Sequence, residues 1–357
     1  MANLNIYRGE ETLCEIGIQG ESLDKTDCTT AVTPTITLRE IQELSIKMEE
    51  NIKRDKFING AGGRNVTDTH KESHDASAKM KLRVSKDFAQ TDALEGFMLP
   101  LAIDGLGTDA TNVYTFPAVA NEYGTDYLKV FTLEAGLNKT SNIINQRLTG
   151  CIVNKEKFHC EENKFCEWDW EILAIKGEML KAWSAGSLAE STENCFNWGD
   201  VKVSICDAGG SPLAIDGIKM FEHNIDNHVK AERDLANATS TRCPTMFTLG
   251  RRDISGSMKL MLTTATDSGQ DLWEIMFGDS SGTASPSETV TLKDLQCYLY
   301  IDGTYYAKYT YHDVTFSTID KPLEGDGIAE VTIPWTAKHI VLEMKMHTSV
   351  VEPTNWS

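Results

Sequence analysis

The 357-residue sequence has few basic side chains for its number of acidic ones. Lysine and arginine together number 34, whereas aspartate and glutamate number 53, so the formal net charge is −19. A protein that grips nucleic-acid phosphates needs a basic patch, because lysine and arginine replace the counterions. The composition therefore argues against a nucleic-acid-binding protein. It indicates either simple solubility or a surface that repels polyanions.

Long apolar segments are also absent. No run of 18 or more apolar residues occurs, so we expect no membrane-spanning helix and no membrane partner. The first residues carry neither a basic nor an apolar segment, and we expect no signal peptide. The nine cysteines are an odd number. Without a secretion signal, we expect them to be free thiols made in a reducing cytosol.

The sequence lacks the motifs of common catalytic and cofactor sites. It has no nucleophile elbow, no His-Glu-x-x-His and no Cys/His nucleophile context. The glycine-rich segment Gly60–Gly63 lacks the Lys-Ser/Thr of a phosphate-binding loop and is better explained as a flexible loop. Three groups of possible metal ligands have irregular spacings that solvated loops or buried thiols explain better: His70, His74 and Asp75; His223, Asp226 and His228; and Cys151, His159, Cys160 and Cys166. We therefore predict no enzyme, no cofactor and no metal site. A β-rich hydrolase remains an alternative.

What the sequence does contain is an internal similarity. Asp75–Leu82 aligns with Asp253–Leu260 at an offset of 178 residues, and the alignment continues without a gap to Leu99 and Phe277. Seven of the 25 aligned positions are identical. In both places a turn rich in glycine and arginine precedes a strand and then a short amphipathic helix. The similarity predicts two tandem domains, residues 1–185 and 186–357.

Alternating apolar and polar residues predict a mainly β protein. Strands are expected near residues 80–85, 126–134, 150–159, 165–175, 201–206, 258–263, 296–302, 305–317 and 328–335. Short helices are expected at Thr91–Leu99 and Gln270–Phe277. Thr37–Asn51 fits a helix or a strand, and we favour a strand in its second part. The polar segment Asn59–Ser77 is expected to be a mobile loop.

One predicted strand combines charge with aromatic residues. In Glu167–Glu171, three acids alternate with Trp168 and Trp170. On a strand this places two indoles on one face and three carboxylates on the other. Like charges about 7 Å apart repel one another, so the acidic face should be in water. It is either an ordinary solvent-exposed face or a wall of a wide aqueous channel.

The order of these segments resembles the tail tube proteins of long-tailed viruses. In the N-terminal half, the strand and helix of Asp75–Leu99 are followed by Tyr127–Glu134, Leu148–Asn154 and Phe165–Lys176. In the C-terminal half, Pro212–Asn227 and Thr248–Leu260 are followed by Asp271–Gly278, Leu292–Asp302 and Tyr309–Trp335. The resemblance covers most of the chain, but it consists of loose strand patterns and has no invariant residues.

The resemblance implies a fold, an assembly and a location. The fold would be two tandem tail-tube-like β-barrel or β-sandwich domains, each with a short flanking helix. The sheets would join neighbouring copies into a ring of six equivalent domains, as a hexamer or as three tandem chains, and rings would stack into a tube. The tube would belong to the virion tail, would be assembled in the host cytoplasm, and would contact the tape-measure and tail terminator proteins.

The same resemblance implies roles for particular residues. Viral DNA would pass through an acidic lumen during ejection without specific binding, which fits the charge of −19. Glu167, Asp169 and Glu171 are the candidates for lining this lumen. Mobile loops would make the contacts between rings, and the candidate residues are Gly60, Gly62, Gly63, Arg64, His70 and His74.

The main alternative is a carbohydrate- or receptor-binding β-sandwich on the virion surface. A binding site of that kind would use exposed aromatic side chains. The candidates form a tyrosine-rich stretch: Tyr298, Tyr300, Tyr305, Tyr306, Tyr309 and Tyr311. Period-two spacing lets half of them belong to a core.

Overall fold

A computed structural model describes residues 12–38, 40–55, 68–86, 95–103, 108–109, 112–117, 128–137, 145–180, 195–207, 212–233, 243–261, 293–301, 306–317 and 330–346. These residues form a mainly β structure, as predicted. The first strands are β1 (Thr12–Glu21), β2 (Ile36–Leu38), β3 (Ile41–Asp55), β4 (Asp68–Arg83), β5 (Thr108–Asp109), β6 (Val113–Phe116), β7 (Lys129–Leu137), β8 (Asn145–Glu161) and β9 (Glu167–Leu180). The later strands are β10 (Val201–Asp207), β11 (Leu213–Ala214), β12 (Ile218–Asp226), β13 (Lys230–Glu232), β14 (Met246–Thr248), β15 (Asp253–Met261), β16 (Lys293–Tyr300), β17 (Tyr306–Phe316), β18 (Glu330–Ala337) and β19 (His339–Lys345).

Helical segments are few in the described residues. Helix α1 (Lys25–Thr29) is capped by Asp24, whose side chain accepts hydrogen bonds from two backbone N–H groups of its first turn. The helix expected at Thr91–Leu99 is a 3-10 helix at Glu95–Ala102. A second 3-10 turn covers Trp198–Asp200. The helix expected at Gln270–Phe277 lies outside the described residues.

All strand pairs in the large sheet are antiparallel, and in the first part of the chain they follow a definite order. β1 pairs with β7, β7 with β8, β8 with β9, β9 with β4, and β4 with β3. β2 lies on the other edge of β1. Among the described strands these pairings do not close into a barrel.

The second part of the chain has pairings in the same order. β10 pairs with β16, β16 with β17, β17 with β18 and β19, β18 with β15, and β15 with β12. β18 and β19 are separated by Lys338 alone, so together they occupy the place that β9 has in the first set.

Irregularities in the two sets also coincide. The pairing of β3 with β4 shifts between Ile41 and Glu43, and that of β12 with β15 shifts between Ile218 and Met220. A second bulge, between β7 and β8, recurs between β16 and β17. There Gly150 has a φ of 62° and Asp313 a φ of 54°. A bulge bends a strand at a fixed point, so both sets bend at corresponding places.

Two strand pairings join the first set to the second. The C-terminal part of β8, Lys155–Glu161, pairs with β12. β6, whose edge also carries the short β5, pairs with β19. The buried core reflects this continuity, because one contiguous apolar cluster draws residues from strands of both sets. The two parts of the chain are therefore joined edge to edge as well as through their cores.

Most of the predicted strands match observed ones within a few residues, but β1, β6 and β19 were not predicted, and one predicted loop was wrong in part. Thr37–Asn51 was expected to be a strand in its second part, and β3 covers it from Ile41. Asn59–Ser77 was expected to be a loop, yet β4 begins at Asp68. His70 and His74 are therefore strand residues, with β3 residues opposite them in the register. The polar composition of Asp68–Ser77 concealed a strand that lies at the margin of the sheet.

Candidate assembly surface

A polar groove runs across the strands that join the two parts of the chain. It has a volume of about 960 Å³, and residues of six neighbouring strands line it: β3, β4, β9, β8, β12 and β15. The first four strands belong to the first set of pairings and the last two to the second. The groove therefore continues across the β8–β12 junction.

The groove contains two of the three acidic residues expected to face a channel. Along β9, exposed or half-buried acids alternate with buried tryptophans, as the pattern predicted. Trp168 and Trp170 are 3% and 2% exposed and stack with ring centroids 5.9 Å apart. Asp169 and Glu171 line the groove, and Glu167 shares their face because it lies two residues from Asp169.

Lysine side chains lie beside the carboxylates of β9. Lys79 Nζ lies 2.6 Å from Glu171 Oε1, and Lys81 Nζ lies 3.0 Å from Glu167 Oε2. The hydrogen bond to Glu167 raises the pKa of Lys81, and the nearby charge of Asp169 adds to the effect. A row of lysines on β4 therefore offsets the repulsion expected between the acids of β9, so the face is one of mixed charge.

Lysines and acids also form ion pairs where β8 meets β12, on the other side of the groove. Lys155 of β8 lies 2.6 Å from Asp226 of β12, and Lys157 lies 3.1 Å from Glu222. Partial burial raises the pKa of Glu222, but hydrogen bonds from Lys157 and Ser257 outweigh it and leave that pKa below its usual value. The pKa of Asp226 is lowered in the same way, with Lys155 outweighing burial. Both ion pairs cross the junction between the two sets of strands.

Beneath these pairs lies a buried polar network that the sequence analysis missed. The side chains of Glu156 and His223 are both fully buried, with Oε1 and Nε2 3.1 Å apart. Trp170 Nε1 donates to Glu156 Oε2 at 2.9 Å, and Tyr311 Oη lies 2.5 Å from His223 Nδ1. The burial of Glu156 could have been predicted from the period of two along a strand, because Glu156 shares its face of β8 with the apolar residue Phe158, which is buried.

This network explains one of the candidate metal-ligand groups. His223 points into the core, where its ring stacks on Phe158 with centroids 5.3 Å apart. His228, by contrast, is half exposed, and its Nε2 lies 2.8 Å from Asp253 Oδ2. His223 therefore faces the core from within β12, whereas His228 lies two residues beyond the end of that strand, so the structure separates two histidines that the sequence spacing suggested together. Within the described ranges, no three His, Cys, Asp or Glu side chains are grouped so that they could hold a metal ion.

The candidate inter-ring residues fall in two places. Gly60, Gly62, Gly63 and Arg64 lie outside the described residues. His70 lies on β4 opposite Lys53. The His74 ring is half-buried, and its Nε2 accepts a hydrogen bond from the backbone N–H of Gly177 at 3.2 Å.

All nine cysteines are free thiols in the structure, as expected, and eight of them are buried. Burial raises the pKa of Cys28 to about 12, with a further contribution from the charge of Asp27. Burial likewise holds the pKa of Cys151 and Cys297 well above the usual range. Thiols in such surroundings remain protonated and act as small apolar side chains.

The tyrosine-rich stretch is divided between core and surface. Tyr309 and Tyr311 are fully buried. On the opposite face, the rings of Tyr298 and Tyr300 stack with centroids 5.4 Å apart, and Tyr306 Oη donates to Glu343 at 2.6 Å. These three are half-buried. The period-two spacing thus divides the described tyrosines between core and surface, and Tyr305 lies outside the described residues.

Two strand edges in the first set are open among the described residues. β3 pairs there with β4 alone, and its apolar side chains Leu44, Ile46 and Met48 are only half-buried. Near the end of β9, Met179 is 62% exposed. Long open edges with apolar side chains are sites where another strand can pair.

Comparisons with known proteins gave weak structural similarities. No protein-family model matches the sequence, and no curated protein sequence matches it. A chain from the tail of an empty GTA particle with C6 symmetry is 15% identical, with 40% of this chain and 92% of that chain covered and a TM-score of 0.27. The sheath/tube terminator of the PVC extracellular contractile injection system is 13% identical, with 43% and 99% covered and a TM-score of 0.30.

A third similarity is to the SPP1 tail tube, at 12% identity and a TM-score of 0.28, with 42% of this chain and 80% of that chain covered. The described helices include none that is long and apolar enough to cross a membrane.

Proposed function

We propose that this chain is a structural virion protein that assembles with copies of itself into rings, and that stacked rings form the tail tube of a long-tailed virus. One observation carries the proposal. The chain joins two sets of strands edge to edge, and a charged groove continues across that junction. A wall built in this way can be extended by adding further sheets at its edges.

The groove is the part of this wall that would face the lumen. Asp169 and Glu171 line it, with Glu167 on the same strand face, and the lysines beside them are held by carboxylates. Lysines that are already paired within the protein gain less from a DNA phosphate than free lysines would. Viral DNA would therefore slide past this face without being held, as ejection requires.

The remaining parts of the proposal concern the assembly. Each chain supplies two sets of strands, so a ring of six equivalent sets would need three chains, whereas a ring of six chains would hold twelve. The segment with Gly60, Gly62, Gly63 and Arg64 would contact the next ring. The tube would be built in the host cytoplasm, enclose the tape-measure protein and end at the terminator.

The test combines electron microscopy with chemical labelling. Negative-stain images of the purified protein should show rings or tubes with a stain-filled bore. In a Cys243→Ser background, Asp169→Cys should react in assembled tubes with a small maleimide, whereas a large polymer-linked maleimide should be excluded. A matched Leu23→Cys variant reports on another exposed position.

Two results would contradict the proposal. Monomers at high concentration under every assembly condition would exclude a tube protein. If the large maleimide reached Asp169→Cys in intact tubes as readily as it reaches the dissociated chain, the groove would lie outside the lumen.

A further inference from the structure

The two sets of strands correspond residue by residue. Both have the same order of pairing, and bulges shift the register at equivalent points. Positive φ values recur at equivalent residues as well: Glu40 (53°) corresponds to Gly217 (77°), and Gly150 (62°) to Asp313 (54°). Because L residues other than glycine rarely adopt such angles, these coincidences indicate two copies of one unit. In this correspondence β3 matches β12, and β9 matches β18 together with β19.

The open edge of β3 corresponds to an edge of β12 that is covered by another strand. On β12, the side chains of Phe221, His223 and Ile225 are buried at 0%, 0% and 1% exposure, and β8 of the first unit pairs along that edge. Their equivalents on β3 are Leu44, Ile46 and Met48, because they lie opposite the equivalent residues of β4 and β15. These three are half-buried. Among the described residues, the difference is that β8 pairs along this edge of β12, whereas no strand pairs along the same edge of β3.

The open edge of β9 at Met179 likewise corresponds to an edge of β19 that is covered by another strand. Leu342 of β19 is fully buried and pairs with Phe116 of β6, a strand of the first unit. Its equivalent is Met179, since Leu342 lies opposite Tyr309 in the register and Met179 opposite Gln146. Met179 is 62% exposed. A fully buried apolar position in one unit is thus the most exposed large apolar side chain described in the other.

We infer that the edges of β3 and of β9 at Met179 form a docking surface for the C-terminal unit of a second copy of this chain. In each chain the N-terminal unit covers these two edges of the C-terminal unit. The equivalent edges of the N-terminal unit are then covered by the C-terminal unit of the next copy. Such a contact is head to tail, and it gives a ring if the rotation closes and a filament if it does not.

This inference names the partner surface for the proposed function and rests on its premise of self-assembly. The test uses the full chain with Met179→Glu, with Ile46→Glu, and with Leu23→Glu as the matched control, since Leu23 is a large apolar residue that is 44% exposed elsewhere. Sedimentation velocity measures association, and thermal unfolding measures folding. Met179→Glu and Ile46→Glu should weaken association at least about tenfold, because a charge would be buried without a partner.

The control should associate like the wild type, and Met179→Glu should keep the wild-type melting temperature because its side chain is exposed in the single chain. Met179→Glu keeps its C-terminal unit intact, so adding it to wild-type protein should also block ring closure. If the wild type associates and folded Met179→Glu associates equally well, this inference is overturned while the proposed function stands. A wild-type chain that never associates would overturn both.

Discussion

At the scale of single residues, Glu156 is the most consequential side chain of the groove region. Its carboxyl group is fully buried, faces His223 Nε2 and accepts from Trp170 Nε1. It thereby connects strands β8, β9 and β12, and through His223 and Tyr311 it reaches β17. Acidic side chains are rarely buried to this extent unless they are paired. The residue therefore links the two sets of strands from inside the core.

Replacing Glu156 should be costly. Glu156→Ala would leave the indole N–H of Trp170 and the Nε2 atom of His223 without their buried partner, and such losses typically cost about 3–5 kcal/mol of unfolding free energy. Glu171→Ala is the control, because its ion pair with Lys79 is exposed and should contribute below about 1 kcal/mol. Urea denaturation followed by tryptophan fluorescence measures both. Equal, small effects of the two substitutions would show that the network adds nothing to stability.

Residue-level features were predictable to different degrees. The alternation of Trp168 and Trp170 with the acids of β9 was readable because a strand has a period of two. The lysine partners were not, because Lys79 and Glu171 lie on strands far apart in the chain and meet only through the pairing of β4 with β9. The same applies to Glu156 and His223, which share a site only because β8 pairs with β12.

At the scale of elements, the bulges determine where the strands bend. Gly150 has a φ of 62° at the bulge between β7 and β8, and an added Cβ would lie 2.2 Å from the backbone oxygen of Cys28. Both the backbone angle and the crowding disfavour any other residue there. The bulge thus depends on a glycine that also allows α1 to lie close to β8.

Gly150→Ala should therefore destabilise the fold by about 1–3 kcal/mol, the usual range for strained backbone positions. The matched control is Gly199→Ala, where an added Cβ would meet a single side-chain oxygen of Asn197 at 3.1 Å. Thermal unfolding and amide hydrogen exchange compare the two, and exchange in β7 and β8 should rise for Gly150→Ala alone. Identical melting temperatures for the two variants would contradict this account of the bulge.

The pattern of apolar residues predicted strands at β7–β10 and β15–β18, but it did not predict β1, β6 or β19. β4 was expected to begin only after Ser77, because nine of its first ten residues are polar. They form a strand since β3 pairs with them along its whole length. Which strands pair was not predictable, because pairings between distant segments depend on the assembled core. The alignment of Asp75 with Asp253 falls on β4, which pairs with β3 and β9, and on β15, which pairs with β12 and β18.

At the scale of the whole molecule, the junction between the two units is held on its groove side by charge. Lys155–Asp226 and Lys157–Glu222 both cross from β8 to β12. The pKa of Glu222 is lowered in the folded chain, mainly by Lys157 and Ser257 acting against burial. A lowered pKa means that the ionised form stabilises the fold above the usual pKa of 4.5, and that this contribution disappears as the pH falls through the lower folded value.

Glu222→Gln should therefore be less stable than the wild type at pH 7, by about 0.5–1 kcal/mol for a partly exposed pair. The difference should shrink as the pH falls below 4.5, because the unfolded chain then binds a proton, and it should vanish below the lower folded pKa, where the folded carboxyl group is protonated and resembles the amide. Lys157→Met should remove the same pH-dependent difference, and the double variant should add little further loss. Urea denaturation between pH 7 and pH 3 measures all four proteins. A constant difference across this range would show that Glu222 acts through packing, and that the ion pairs do not help to join the two units.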